Sequence, residues 1–191
     1  VDATNYVLHE LGHPVHAFDL DKLEGGAINI RYAQTGETML PLGADAQEIE
    51  LSDEDLVIAD AAKPIALAGV KGGAASSVDE NTTNLLLETA TFTPSAVRRS
   101  SRRHGIASDS SYRFERQVPD RQVPIASERL LQLILSVAGG EAAPPTMVGT
   151  IDPAPTMTLR FSRIKSVLGI EIPSERVIEI LDALGLQPQL D

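Results

Sequence analysis

Hydrophobic positions along the 191-residue chain change period several times. Between Asn5 and Leu11 the apolar residues fall at 7, 8 and 11, a helical spacing that Gly12 stops. Pro14 prevents that helix from running on through Val15, and His16-Ala17-Phe18-Asp19 reads as the entry to a turn region. From Ala27 to Ala33, Ile28, Ile30 and Tyr32 alternate with Asn29 and Arg31, which predicts a half-buried strand. Thr38 to Leu42 and Glu48 to Leu51 read as short strands, and Asp53-Glu54-Asp55 as an exposed acidic turn. The apolar runs Leu56 to Ala59 and Ile65 to Ala68 predict buried strands. Asn84 to Phe92 is a further strand with Glu88 in its apolar middle, where a carboxylate is costly unless it is partnered or lines a pocket.

Thr93-Pro94 suits a helix start and Gly105 a helix stop. Arg98, Arg99, Arg102 and Arg103 then share about half the surface of one helix. A second helix is expected from Pro124 to Val137, burying Ile125, Leu130, Leu131, Leu133, Ile134 and Val137. Residues 139–155, rich in Gly, Ala and Pro, read as a connector between a first domain, 1–150, and a C-terminal piece from 156 to 191. That piece shows a strand over Thr158 to Phe161, a short helix to Leu168, and a helix capped by Ser174 and ended by Gly185. It is too short for a good core of its own, so it reads as the start of a truncated domain.

Composition narrows the class. Hydrophobic content of 42% and charged content of 23% are those of a globular chain, and no apolar run approaches the roughly 20 residues of a membrane span. The absence of cysteine excludes disulfides and Cys-based zinc sites, and suits a reducing compartment. Val1 is not an initiator methionine, and a piece of a longer polypeptide is expected. The chain is acidic, with 16 Lys and Arg against 27 Asp and Glu. Against that background residues 98–116 carry six arginines and a histidine, with one aspartate and one glutamate. Composition alone reads this as a solvated helix face followed by a polar loop; the alternative is contact with a localised anionic partner.

Several constellations invite a chemical reading. His9, His13 and His16 have metal-ligand spacing on an unbroken helix, but Pro14 breaks it and no carboxylate is placed to help, so no metal is assigned. Gly69-Val70-Lys71-Gly72-Gly73 lacks both nucleotide-loop spacings and instead indicates close backbone approach. Ser108, Ser110 and Ser111 beside His104 lack a nucleophile elbow. Glu88 suits either a hydrogen bond to a ligand or an ion pair with Arg98 or Arg102.

Read in order, the motifs Val1-Asp-Ala-Thr-Asn5-Tyr-Val7, His16-Ala-Phe-Asp-Leu-Asp-Lys-Leu23, Ala68-Gly-Val-Lys-Gly-Gly73, Leu86-Leu-Glu88 and Arg102-Arg-His-Gly105 through Tyr112-Arg-Phe-Glu-Arg116 resemble the beta subunit of bacterial phenylalanyl-tRNA synthetase. The resemblance covers the whole chain. It implies an α+β module built on a six-stranded Greek-key β-barrel with flanking helices, followed by the beginning of a small helix-rich domain. It implies hydrolytic editing of tyrosine mischarged onto phenylalanine tRNA, or else a non-catalytic tRNA-binding and subunit-docking module. Glu88 carries over as acceptor for the tyrosine hydroxyl beside the Gly69 backbone, and Asn5, His16, Ser108 and Ser110 as pocket residues; no residue carries over as catalytic. Arg98, Arg99, Arg102 and Arg103 face the tRNA. The implied partners are phenylalanine tRNA and the alpha subunit, in a cytoplasmic heterotetramer. The fragment needs no cofactor; ATP and Mg serve the whole synthetase elsewhere.

Overall fold

The computed structural model describes residues 1–151, 153 and 155–190. Positions 152 and 154, inside the expected connector, lie outside the described residues. The chain divides into two compact units, Val1–Asp152 and Pro153–Asp191.

The first unit is α+β. Helix α1 spans Asp2–Leu11 and ends on Gly12, whose φ of 70° is the left-handed conformation that glycine adopts without strain. Strand β1 (Val15–Asp19) follows. The turn expected over His16 to Asp19 is therefore corrected to a strand, stabilised by a partner 70 residues away in sequence that no local signal announces. That partner is β8 (Leu85–Thr89), antiparallel, with His16 opposite Glu88 and Phe18 opposite Leu86. A four-stranded antiparallel sheet contains β2 (Asn29–Tyr32), β5 (Leu56–Ala59), β6 (Pro64–Leu67) and β7 (Lys71–Gly72), in that order. A third, two-stranded sheet pairs β3 (Thr38–Met39) with β4 (Ile49–Glu50). Among the described residues the strands form these three open sheets; the expected six-stranded Greek-key barrel is not found.

Side-chain alternation arranges the sheets in layers. Val15 and Leu87 point from the β1–β8 ladder towards Val7 of α1 and towards Ala126 and Leu130 of α4 (Val123–Ala138). The opposite face, with Phe18 and Leu86, packs on Ile58, Ile65 and Ala66 of the four-stranded sheet. That sheet turns Val57 and Leu67 the other way, onto Val97 of α2 (Pro94–His104) and Phe114 of α3 (Asp109–Phe114). Fully burying side chains of this size contributes roughly 1.5–3 kcal/mol each.

Other expectations also change. On β2, Ile30 and Tyr32 are more than half exposed and Arg31 is half-buried against Glu37, because β2 is the edge strand of its sheet. On α4, Ile125 and Val137 are exposed, and the buried stripe is narrower than the sequence suggests. Asp55, expected in an exposed turn, is fully buried. In the second unit no strand forms over 158–161; the described residues there offer no strand to pair with, and Phe161 opens α5 (Phe161–Leu168) instead. Helix α6 (Ser174–Ala183) takes Pro173, not Ser174, as its N-cap. No described helix is long and apolar enough to cross a membrane.

Candidate functional site

The register of β1 on β8 sets His16 and Glu88 side by side on one face of the ladder. It is the face that carries Phe18 and Leu86, so both groups enter the seam between the two sheets. The His16 imidazole abuts Gly72 of β7: a methyl group there would lie 2.7 Å from its Cε1 and 2.8 Å from its Nε2. Glycine at 72 is what leaves room for the ring. The ring also meets Phe18 edge-on at 4.5 Å. Its Nε2 is buried without a hydrogen-bond partner, and burial drives the His16 pKa down to about 4. The imidazole is neutral at physiological pH.

Glu88 makes no hydrogen bond or ion pair among the described residues. Burial raises its pKa to about 7, so neutral and ionised forms coexist near neutrality. The ion pair with Arg98 or Arg102 does not form; Arg98 donates instead to the carbonyl of Glu115, at 3.3 Å. A buried, unpaired imidazole nitrogen beside a half-buried carboxyl without a partner forms an arrangement that a ligand hydroxyl or amine can complete.

The remaining expected site residues divide. Gly69, with φ 70°, starts the tight turn into β7, and a side chain there would collide with Phe92 at 2.9 Å and Val97 at 3.0 Å. Ser108 is fastened to the same turn, its Oγ donating to the Val70 carbonyl at 2.6 Å. That oxygen also caps α3, accepting from the Ser111 amide at 3.0 Å in a reciprocal box with the Ser111 hydroxyl. The Ser108 proton is thus committed to the backbone, and the residue positions the turn. Ser110 is half-buried one residue into α3. Asn5 does not join the others: it is exposed on α1, which packs on the far face of the β1–β8 ladder. Two cavities, of about 600 and 220 Å³, are lined by residues including Met39, Lys63 and Gly73, and Thr4, Ala17 and Thr82 respectively; neither is lined by Glu88 or His16.

Sequence reasoning considered His13 only as a metal ligand and read Asp55 as part of an exposed turn. His13 is fully buried, with Nε2 3.2 Å from the Ala90 carbonyl and its ring edge-on to Phe114 at 6.2 Å. A carbonyl only accepts, so Nε2 carries the proton and Nδ1 is left without a partner. Asp55 accepts from the Ser52 amide at 2.9 Å, Ser100 Oγ at 2.7 Å, His104 Nε2 at 2.6 Å and the Arg103 guanidinium. Burial by itself pushes the Asp55 carboxyl up, but hydrogen bonds from His104, Ser100 and Ser52 outweigh it and hold the pKa below the usual range. Arg103 also pairs with Glu54, which withdraws it from the basic face of α2. Arg99 and Arg102 make no such pair among the described residues.

Residues 1–139, which hold all of this architecture, match the family model described as the B3/4 domain. The chain belongs to the B3/4 domain family. It is 45% identical over 194 residues to the phenylalanine–tRNA ligase beta subunit of Idiomarina loihiensis, covering 100% of this chain and 24% of that protein. It is 46% identical over 186 residues to the beta subunit of Thiobacillus denitrificans (97% and 23% covered) and 45% identical over 190 residues to that of Neisseria gonorrhoeae (99% and 24%). This B3/4 domain chain therefore spans about a quarter of the length of the curated relatives it matches.

Proposed function

We propose that the chain is part of a phenylalanine–tRNA ligase beta subunit and that its first unit hydrolyses tyrosine mischarged onto phenylalanine tRNA. The observation that carries this reading is the His16–Glu88 register pair, in which the buried His16 Nε2 has no hydrogen-bond partner and the half-buried Glu88 carboxyl has none among the described residues. Tyrosine exceeds phenylalanine by one hydroxyl, which an apolar synthetic pocket rejects only on the order of 100-fold. A second site with polar groups waiting for that hydroxyl discriminates further, because phenylalanine leaves them unpaired. In this reading Glu88 accepts the phenol proton. Neutral His16 offers a hydrogen bond to the ester or amino end, and the Gly69–Gly72 turn, fixed by Ser108, supplies backbone close to the substrate. Water is the nucleophile, with no side chain of the chain assigned as its base. Phenylalanine activation with ATP and Mg belongs to the whole synthetase, and no step here uses either.

The partners in this reading are phenylalanine tRNA and the alpha subunit, in a cytoplasmic heterotetramer. Arg98, Arg99 and Arg102 face tRNA phosphates, without Arg103. The test uses the full-length synthetase and tRNA mischarged with tyrosine. Tyrosine release is expected, and Glu88→Ala is expected to abolish the preference for tyrosyl over phenylalanyl ester. An unchanged preference overturns the role of Glu88.

A second reading, a non-catalytic tRNA-binding and subunit-docking module, draws on the absence of Glu88 and His16 from both cavities. It expects tRNA affinity without tyrosine release.

A further inference from the structure

Helix α3 carries on its outer side a feature that the proposed hydrolysis does not use. Tyr112 is 59% exposed, and the Arg116 guanidinium carbon lies 3.7 Å from its ring centroid. Arg116 is held in place, its Nη1 donating to the Tyr112 carbonyl at 2.7 Å and its charge paired with Glu115. The ring is thus braced by a fixed cation while remaining largely in water.

The surroundings give this exposed ring an electrostatic setting. Arg113 pairs with Asp109, Arg116 with Glu115, and Arg103 with Asp55 and Glu54. Arg98, Arg99 and Arg102 have no carboxylate partner among the described residues. Arg98 reaches the carbonyl of Glu115, just past the end of α3 and next to Arg116, and Arg102 follows one helical turn along the same side of α2. An exposed aromatic ring close to a guanidinium without a carboxylate partner is the combination that single-stranded nucleic acids bind, and here it stands out locally against a chain of net charge −11. Protein interfaces, by contrast, deplete charge at their centres.

We infer that Tyr112, braced by Arg116, is a stacking platform for an unpaired nucleobase, with Arg98 and Arg102 taking the adjoining phosphates. The source of that base, the single-stranded 3′ end of an acylated tRNA, rests on the function proposed above. The geometry suits it. The opposite end of the same short helix, Ser108, is fastened to Val70, and the turn from Val70 leads to Gly72, against which His16 packs. A nucleotide on Tyr112 is therefore held on the element that positions the candidate site. Tyr6 provides an internal contrast: it is 52% exposed with Arg129 5.6 Å from its ring, but Glu10 neutralises that arginine.

The test uses the full-length synthetase assembled with its alpha subunit. The probe is an uncharged RNA oligonucleotide with the tRNA 3′-terminal sequence and 2-aminopurine as its last base. Stacking quenches the fluorophore. Tyr112→Ala is expected to lose the quench and weaken binding about tenfold, while Tyr112→Phe, which keeps the ring, retains both. The slope of log affinity against log salt stays constant in Tyr112→Ala and becomes shallower in the double variant Arg98→Gln/Arg102→Gln. Tyr6→Ala is expected to change nothing. Quench and affinity unaltered in both Tyr112→Ala and Tyr112→Leu overturn the inference. Loss of alpha-subunit assembly on size exclusion, with the quench intact, also overturns it and marks a protein contact. A wild-type enzyme that releases no tyrosine but whose quench depends on Tyr112 refutes the editing reading alone.

Discussion

His16 and Glu88 are register partners across the β1–β8 ladder, and burial shifts their pKa values in opposite directions, to about 4 and about 7. The imidazole loses its charge and the carboxyl holds its proton to higher pH, because both charged forms are disfavoured in the same seam.

The two shifts act on stability with opposite sign. Glu88 has a folded pKa above its unfolded value of 4.5, so its contribution is fully present below 4.5 and is lost as pH rises to about 7. His16 has a folded pKa below its unfolded value of 6.5, so its contribution is present above 6.5 and is lost as pH falls to about 4. Between pH 4.5 and 6.5 the two slopes oppose each other. Denaturant unfolding of Glu88→Gln across this window should show stability rising with pH more steeply than in the wild type. At pH 8 the variant should gain on the order of 1–3 kcal/mol relative to its difference at pH 4. A wild-type-like slope contradicts the burial of the Glu88 carboxyl.

Asp55 joins the turn before β5 to the end of α2 through Ser100, Arg103 and His104. Removing the carboxylate leaves the Ser100 hydroxyl and the His104 ring without this acceptor, while Arg103 keeps only Glu54. Asp55→Ala is expected to cost about 3–5 kcal/mol in chemical denaturation. Since the folded pKa lies below the ordinary 3.8, the wild type keeps this contribution above pH 3.8 and loses it on further acidification. The variant should lack that acid-side loss.

Ser108 both caps α3 and holds the Val70 carbonyl. Ser108→Ala is expected to lower stability by about 1–2 kcal/mol, and Ser108→Thr to restore most of it, because threonine keeps the same oxygen. Thermal unfolding of the two variants checks this. Equal losses contradict the capping role.

Gly72→Ala places a methyl group on the His16 ring and 3.0 Å from a Leu42 methyl, although the backbone at 72 accepts any residue. The expected result is displacement of the imidazole, read as a rise in the His16 pKa towards 6.5 by NMR titration. An unmoved titration shows that the ring does not pack against residue 72.

The longer helices were legible along the chain because their signals are local, whereas the six-residue α3, read as a polar loop, was not. Proline at the first turn of α2 and glycines after α1 and α2 act within a few residues, and a period of 3.6 needs no distant partner. The strand at 15–19 was not legible. Its short apolar content follows a proline, and what makes it a strand is pairing with 85–89. The burial of Asp55 was hidden for the same reason: three acidic residues in a row read as solvent-facing until Ser100, Arg103 and His104 arrive from 45 to 49 positions away.

By itself the sequence determined the existence of the longer helices, the buried apolar runs, the glycines of the close turn and, through separated motifs, the family. Only the tertiary structure decided which polar residues meet. It set His16 against Glu88, diverted Arg103 from the basic face to Asp55, and left Asn5 on the outer side of α1. Charge and hydropathy are carried by each residue, whereas desolvation and partnership depend on what else the fold brings within a few ångströms.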